Sequence, residues 1–189
     1  MSHTPHNHLD QWLADEAAIR KQIEAGAGPG LATTEQIAGK SGLQIMKGVL
    51  HGELPYAHLA KTLDFTMVQA EKGLVVFQGT PAIEHFNPLG SVHGGWFATL
   101  LDSALGCAIH TMMPVGRAYT TAELSINFVR AITLKVPRVR AEGRVIHCGR
   151  QLATAEARLV GPDGTLYAHG TTTCLVFDLK HPPAAGATT

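Results

Sequence analysis

Asp102 is the only formally charged residue in the stretch WFATLLDSALGCAIH at 96–110, which is otherwise apolar or small on nearly every face. A carboxylate is not buried cheaply without a partner or a purpose. One reading is structural, with backbone amides or Ser103 satisfying the charge. The other is functional, since buried carboxylates with perturbed proton affinity concentrate at reactive sites. Just upstream, Asn87-Pro88-Leu89-Gly90-Ser91-Val92-His93-Gly94-Gly95 leads into the same stretch. Two glycines at a helix start let the backbone come close to a ligand, and first-turn amides have no partner inside the helix. Those amides and the helix dipole favour a developing oxyanion. The plainer reading is that Gly94 and Gly95 only permit tight packing against a sheet. An oxyanion site, a carboxylate and water together suffice to attack an activated carbonyl, with no metal required.

The spacing adds a constraint. Gly94 and Asp102 are eight residues apart, and eight helical residues rise about 12 Å. One carbonyl cannot touch both within a single helix. If both act on the same carbon, they come from different subunits whose helices run antiparallel across a dimer, with two sites per dimer.

Several elements must position these groups. Residues 8–24 carry Leu9, Trp12, Leu13, Ala17 and Ile19 among charges, a loose helical pattern stopped by AGAGPG at 25–30. A second helix is expected to start near Thr34, where TTEQ offers a cap, and to continue through Ile45, Met46, Val49 and Leu50 until it stops before Pro55. From Asp64 the period changes: DFTMVQA and LVVFQGT are strand-like, and EKG between them signals a hairpin turn. The 96–110 stretch then predicts a helix buried all round. Four alternating segments follow, AYTTAELSINFVRA, VPRVRAEGRVIH, QLATAEARLV and GTLYAHGTTTCLVFDL, with GPDG as a tight turn before the last. A lone apolar helix beside a long antiparallel sheet has one good solution, in which the sheet curls around the helix. This is an α+β hotdog fold. The expected organisation is an N-terminal helical extension at 1–55, a hotdog domain at 56–180 and a disordered tail at 181–189. Sheet edge and helix surface left open by one copy predict a homodimer with a continuous sheet.

Composition narrows the partners. A chain of 189 residues, 45% hydrophobic, fills one sizeable core rather than two. Lys and Arg (15) balance Asp and Glu (15), so no basic excess points to nucleic acid or an anionic membrane. An anionic ligand must be held by local groups. Of the eleven histidines, His3, His6 and His8 crowd a polar N-terminal segment and the rest are scattered, without Cys or carboxylate at ligand spacing nearby; no metal site is expected. Cys107, Cys148 and Cys174 lie far apart within apolar patterns and read as reduced core residues of a cytoplasmic protein. No run reaches the roughly eighteen apolar residues of a membrane span, and MSHTPHNHLDQW does not read as an export leader.

The run NPLGSVHGG, followed by LLDSALG, YTTAELSINFVRA and QLATAEARL, resembles the phenylacetyl-CoA thioesterase-like (PaaI) branch of the hotdog thioesterases, relatives of 4-hydroxybenzoyl-CoA thioesterase. The resemblance covers residues 60–178 and leaves 1–55 largely outside. It implies hydrolysis of an acyl-CoA thioester to free acid and CoA, with Asp102 as general base or nucleophile and the Gly94 amide polarising the carbonyl. It also implies Asn87 flanking that carbonyl, His93 shaping the same hole, and Thr121 supplying a hydroxyl that orients water beside the carboxylate. A slip of one residue would put Thr120 there instead. Gly106, one turn beyond Asp102, offers no side chain to hold that water. CoA enters as part of the substrate, no further cofactor is implied, and the assembly is a homodimer or a dimer of dimers. Gly95 joins the substrate-binding set. Arg130 and Arg150 stand at strand ends where CoA phosphates could lie, or are ordinary solvated arginines; Gly149 offers a close-approach backbone position. Trp96, Phe97 and Tyr119 line an acyl pocket or belong to the core. Two rivals remain. A hotdog enoyl-CoA hydratase would need an Asp with a suitably placed His in one loop, and a non-catalytic acyl-CoA-binding module would have no use for Asp102.

Overall fold

The computed structural model describes residues 8–179; the expectations for His3, His6 and the 181–189 tail lie outside the described residues. Five helices, α1 (Leu9–Ala25), α2 (Thr34–Ile37), α3 (Gly42–Leu50), α4 (His58–Thr62) and α5 (Gly94–His110), accompany six strands. The strands are β1 (Phe65–Glu71), β2 (Leu74–Gly79), β3 (Arg117–Phe128), β4 (Val139–Cys148), β5 (Leu152–Val160) and β6 (Leu166–Asp178). They pair antiparallel in the order β1-β2-β4-β5-β6-β3. Helix α5 touches all six strands, and Leu100, Leu101, Ala104, Leu105, Ala108 and Ile109 on it are fully buried. This is the hotdog fold: a curved sheet wrapped round one helix. The contact is backbone against backbone at Gly143 of β4, where an added Cβ would lie 2.3 Å from the Ala104 carbonyl oxygen.

Burial of α5 departs from the sequence expectation on one side. Gly95, Ala98, Thr99, Asp102 and Ser103 remain exposed or half-exposed, and their spacing of three and four residues puts them on one stripe. The sheet covers one side of α5 and α3 packs near Ser103 and Cys107, which leaves the stripe through Gly95, Ala98, Thr99 and Asp102 open. The neighbouring strand β3 lies at the sheet edge and is exposed along most of its length from Thr120 to Phe128.

The helix expected from Thr34 to Leu50 is in fact two. Gly39 turns the chain with φ of +69°, and Ser41 starts α3 afresh with a capping box, accepting from the Gln44 amide while the Gln44 side chain accepts from the Ser41 amide. Thr33 and Gln36 make the same box at α2. Helix α4 has no counterpart in the sequence pattern.

Helix α1 is fastened to the sheet by polar groups. Gln78 of β2, with no solvent exposure, donates from Nε2 to the Trp12 carbonyl at 3.0 Å and to Glu16 at 2.7 Å. Arg138 and Arg20 each donate to Glu16 at 2.7 Å, and Arg140 bonds Gln78 and Asp15 while lying 4.5 Å over the Trp12 ring. Burial alone would raise the Glu16 pKa, but the hydrogen bonds from Arg138, Arg20 and Gln78 outweigh it and hold the carboxyl below its ordinary value. Breaking such a buried cluster on one side strands the other partners. Glu16→Ala should therefore lower the unfolding free energy in urea by about 3 kcal/mol, the low end for a buried pair, because the arginine side chains keep 23–30% exposure. Glu16→Gln should cost less. A loss under about 0.5 kcal/mol for Glu16→Ala, the size of an ordinary surface change, would mean that α1 does not dock this way.

Candidate active site

The loop before α5 is built to hold the helix head in place. Asn87 closes it on itself: its Oδ1 accepts from the Leu89 and Ser91 amides, its Nδ2 donates to Ser91 Oγ at 3.0 Å, and Gly90 takes the turn with φ of +87°. His93 is then tied by its amide to the His85 carbonyl at 2.8 Å, and Val92 to the Ile132 carbonyl at 3.0 Å. His85 in turn stacks on Trp96, ring centres 5.3 Å apart, and Trp96 donates to the Leu63 carbonyl. Trp96 is thus a core residue. Asn87 shapes the loop and has its side-chain amide engaged there.

His93 is the N-cap. Its Nδ1 accepts from the Gly95 amide at 2.9 Å, which places the ring proton on Nε2, and its carbonyl accepts from the Trp96 amide. The Gly95 N–H is therefore occupied. The Gly94 N–H has no partner among the described residues, which leaves it as the amide available to an oxyanion. In front of it lies a cavity of about 290 Å³ lined by Val92, Gly94, Phe97, Phe128, Val129 and Arg130. A Cβ on Gly94 would sit 3.2 Å from the Phe128 ring, close enough that the ring would have to shift by a few tenths of an ångström. Phe128 carried no signal of its own in the sequence beyond strand propensity.

Asp102 stands on the uncovered stripe. Thr121 Oγ1 donates to its Oδ1 at 3.4 Å; it is Thr121, not Thr120, that faces the carboxylate. Gly106 is explained by Tyr119, whose hydroxyl would lie 2.8 Å from an added Cβ. Arg130 joins the Gly94 cavity, whereas Gly149 and Arg150 lie in the β4–β5 turn, the Arg150 carbonyl accepting from Arg117. Within one chain, then, the structure groups Gly94 with Arg130, and Asp102 with Thr121, and puts Arg150 by the start of β3.

With this geometry in place, comparison with known proteins is direct. A sequence profile described as the thioesterase superfamily matches residues 89–168. A solved protein from the thioesterase superfamily is 31% identical over 63% of this chain and 89% of its own, with a TM-score of 0.55. A conserved protein from Pseudomonas aeruginosa is 27% identical, covering 65% and 95% with a TM-score of 0.61. The PaaI protein from the phenylacetic acid degradation operon of Escherichia coli, 22% identical over 63% and 83%, shares the fold with a TM-score of 0.57. The chain belongs to the thioesterase superfamily. No helix among the described residues is long and apolar enough to cross a membrane.

At the far end of α5, His110 packs its ring against Tyr119 at 5.6 Å, and its buried Nε2 has no partner among the described residues. Burial lowers its pKa from the ordinary 6.5. The folded state thus prefers the neutral ring, while the unfolded chain takes up a proton below about pH 6.5, so stability is full above that pH and falls as pH drops through it. The unfolding temperature should decline from about pH 7 to about pH 5, and His110→Phe should flatten that decline. Glu16 and Asp15, whose pKa values are lowered, weaken the fold only below their ordinary values of 4.5 and 3.8. An unchanged pH profile in His110→Phe would show that the ring is protonated or solvated in the folded protein.

Proposed function

We propose that this protein hydrolyses an acyl-CoA thioester to the free acid and CoA, as a member of the PaaI-like branch, at sites shared between the two chains of a homodimer. The observation that carries the proposal is the unpartnered Gly94 amide at the head of α5, facing a cavity, with a carboxylate on the uncovered stripe of the same helix. Gly94 of one chain polarises the thioester carbonyl and Asp102 of the other acts on its carbon. Asp102 takes a proton from water as the water oxygen bonds to that carbon; the C–S bond then breaks and the CoA thiolate leaves, to be protonated. Direct attack by Asp102 would give an acyl anhydride that water hydrolyses to the same products. Thr121 steadies the carboxylate. His93 accepts from the Gly95 amide and so helps shape the head of the helix at the same hole.

The antiparallel packing of two α5 helices that this reading requires also gives the arginines a common role. In one chain, Arg130 and the Arg150 turn lie at opposite ends of β3, about 35 Å apart at about 3.3 Å per residue. Across such a dimer, Arg130 of one chain and Arg150 of the other approach the same end, where CoA phosphates would lie. The exposed β3 edge, with Phe128 and Val129 more than half exposed, and the α5 stripe are the surfaces a second copy would cover. Exposed Leu152, Leu175 and Phe177 on adjoining strands are suited to a dimer of dimers.

Asp102→Asn keeps the shape of the side chain and removes its basicity. Turnover of a competent acyl-CoA, followed by thiol release, should fall by a factor on the order of 10² to 10⁴ while the unfolding transition stays in place. Undiminished hydrolysis by the folded variant would end the assignment.

A further inference from the structure

A second and larger cavity, about 350 Å³, lies between the N-terminal extension, the sheet and α5. Met46 and Val49 of α3 and Leu54 after it form one wall, Met67 of β1 forms another, and Ser103 and Cys107 of α5 complete it. No charged side chain lines it. The polar atoms on the α5 side are neutralised: Ser103 Oγ donates to the Thr99 carbonyl of its own helix at 2.7 Å. Burial, with Asp102's charge adding to it, pushes the Cys107 thiol up to about 12, so it stays protonated. A space of this kind suits hydrocarbon and repels a nucleotide. Its position matters as much as its chemistry, because Ser103 and Cys107 sit on the α5 face next to the one that carries Asp102, so the cavity borders the same turns of helix as the carboxylate of the proposed site.

Volume sets the ligand's size. An apolar cavity of about 150 Å³ takes benzene with its six carbons, so on that scale this one of about 350 Å³ takes about fourteen. A phenylacetyl group would leave much of it empty. The wall formed by α3 and Leu54 comes from the segment before the sheet, which also precedes residue 89, where the superfamily match begins.

We propose that the N-terminal extension builds an acyl-chain pocket against the α5 turns that carry Asp102, and that the substrate carries a flexible, saturated acyl chain of about twelve to fourteen carbons. This rests on the thioesterase reading above. Burial of each added methylene favours binding by up to about fourfold, so kcat/KM should rise from butyryl-CoA through octanoyl-CoA to dodecanoyl-CoA, with dodecanoyl-CoA preferred over phenylacetyl-CoA by about tenfold or more. Val49→Trp, which fills the cavity, should cut the dodecanoyl-to-butyryl ratio of kcat/KM at least about tenfold. Val49→Ala, which enlarges it, should move the preference to longer chains, and it keeps the test alive if the tryptophan variant does not fold.

Calorimetry with S-butyl-CoA and S-dodecyl-CoA, thioethers that cannot be hydrolysed, reads the pocket without turnover. The S-dodecyl compound should bind the wild-type chain more tightly, and Val49→Trp should erase the difference. Selective S-dodecyl binding with no hydrolysis of any thioester would leave the pocket standing and remove the thioesterase reading. Hydrolysis without chain-length preference, or a preference untouched by both Val49 variants, would overturn the pocket and leave the thioesterase reading intact.

Discussion

The head of α5 presents an amide with no partner, and Asp102 lies about 12 Å further along the same axis. A straight helix wrapped by six strands cannot bend to bring these two points together. The wrapping itself is what holds the amide in position: His93, locked to His85 and capping Gly95, fixes the first turn, and the Phe128 ring packs closely over Gly94. The same rigidity keeps Asp102 on a stripe that its own sheet does not cover. An edge strand and a helix stripe left open side by side are the surfaces on which the missing half of a site would be supplied.

The extension makes a second use of that stripe. Helix α1 is pinned to the outer face of the sheet by Glu16, Gln78 and three arginines, which fixes the start of a segment whose later turns, in α3 and after it, border the apolar cavity near Ser103. Removing the polar anchor would thus be felt in stability first and in the cavity wall second. The charge of the site and the hydrocarbon lining are kept apart by one helical step, from Asp102 to Ser103.

Much of this was legible in the sequence where periodicity and isolated charges carry information. The alternating runs gave six strands close to their observed limits, and a single carboxylate in an apolar run marked the stripe, although the run was expected to be buried all round. The break of the expected 34–50 helix did have local signals, a glycine at 39 and the Ser41-x-x-Gln44 capping pattern, which were outweighed by the apolar spacing that continues through Leu50. Other features needed tertiary distances. Thr120 and Thr121 were separable only by their register opposite Cys174. Gly106 is glycine because Tyr119, far along the chain, passes over it. The cavity was hidden because its walls come from separate segments of the chain, α3, β1 and α5, brought together by α3 packing on β1 and α5.

The central claim is that each site takes Gly94 from one chain and Asp102 from the other. The most direct test mixes an Asp102→Asn chain with a chain whose Gly94 carries a bulky side chain, each inactive alone. In a heterodimer with shared sites, one site holds both lesions and the other holds neither. Activity should return to about half of the wild-type value per heterodimer if the sites are independent. Confirmed heterodimers that stay inactive, with their dimer packing intact, would contradict the shared site, because sites confined to single chains would each keep one lesion.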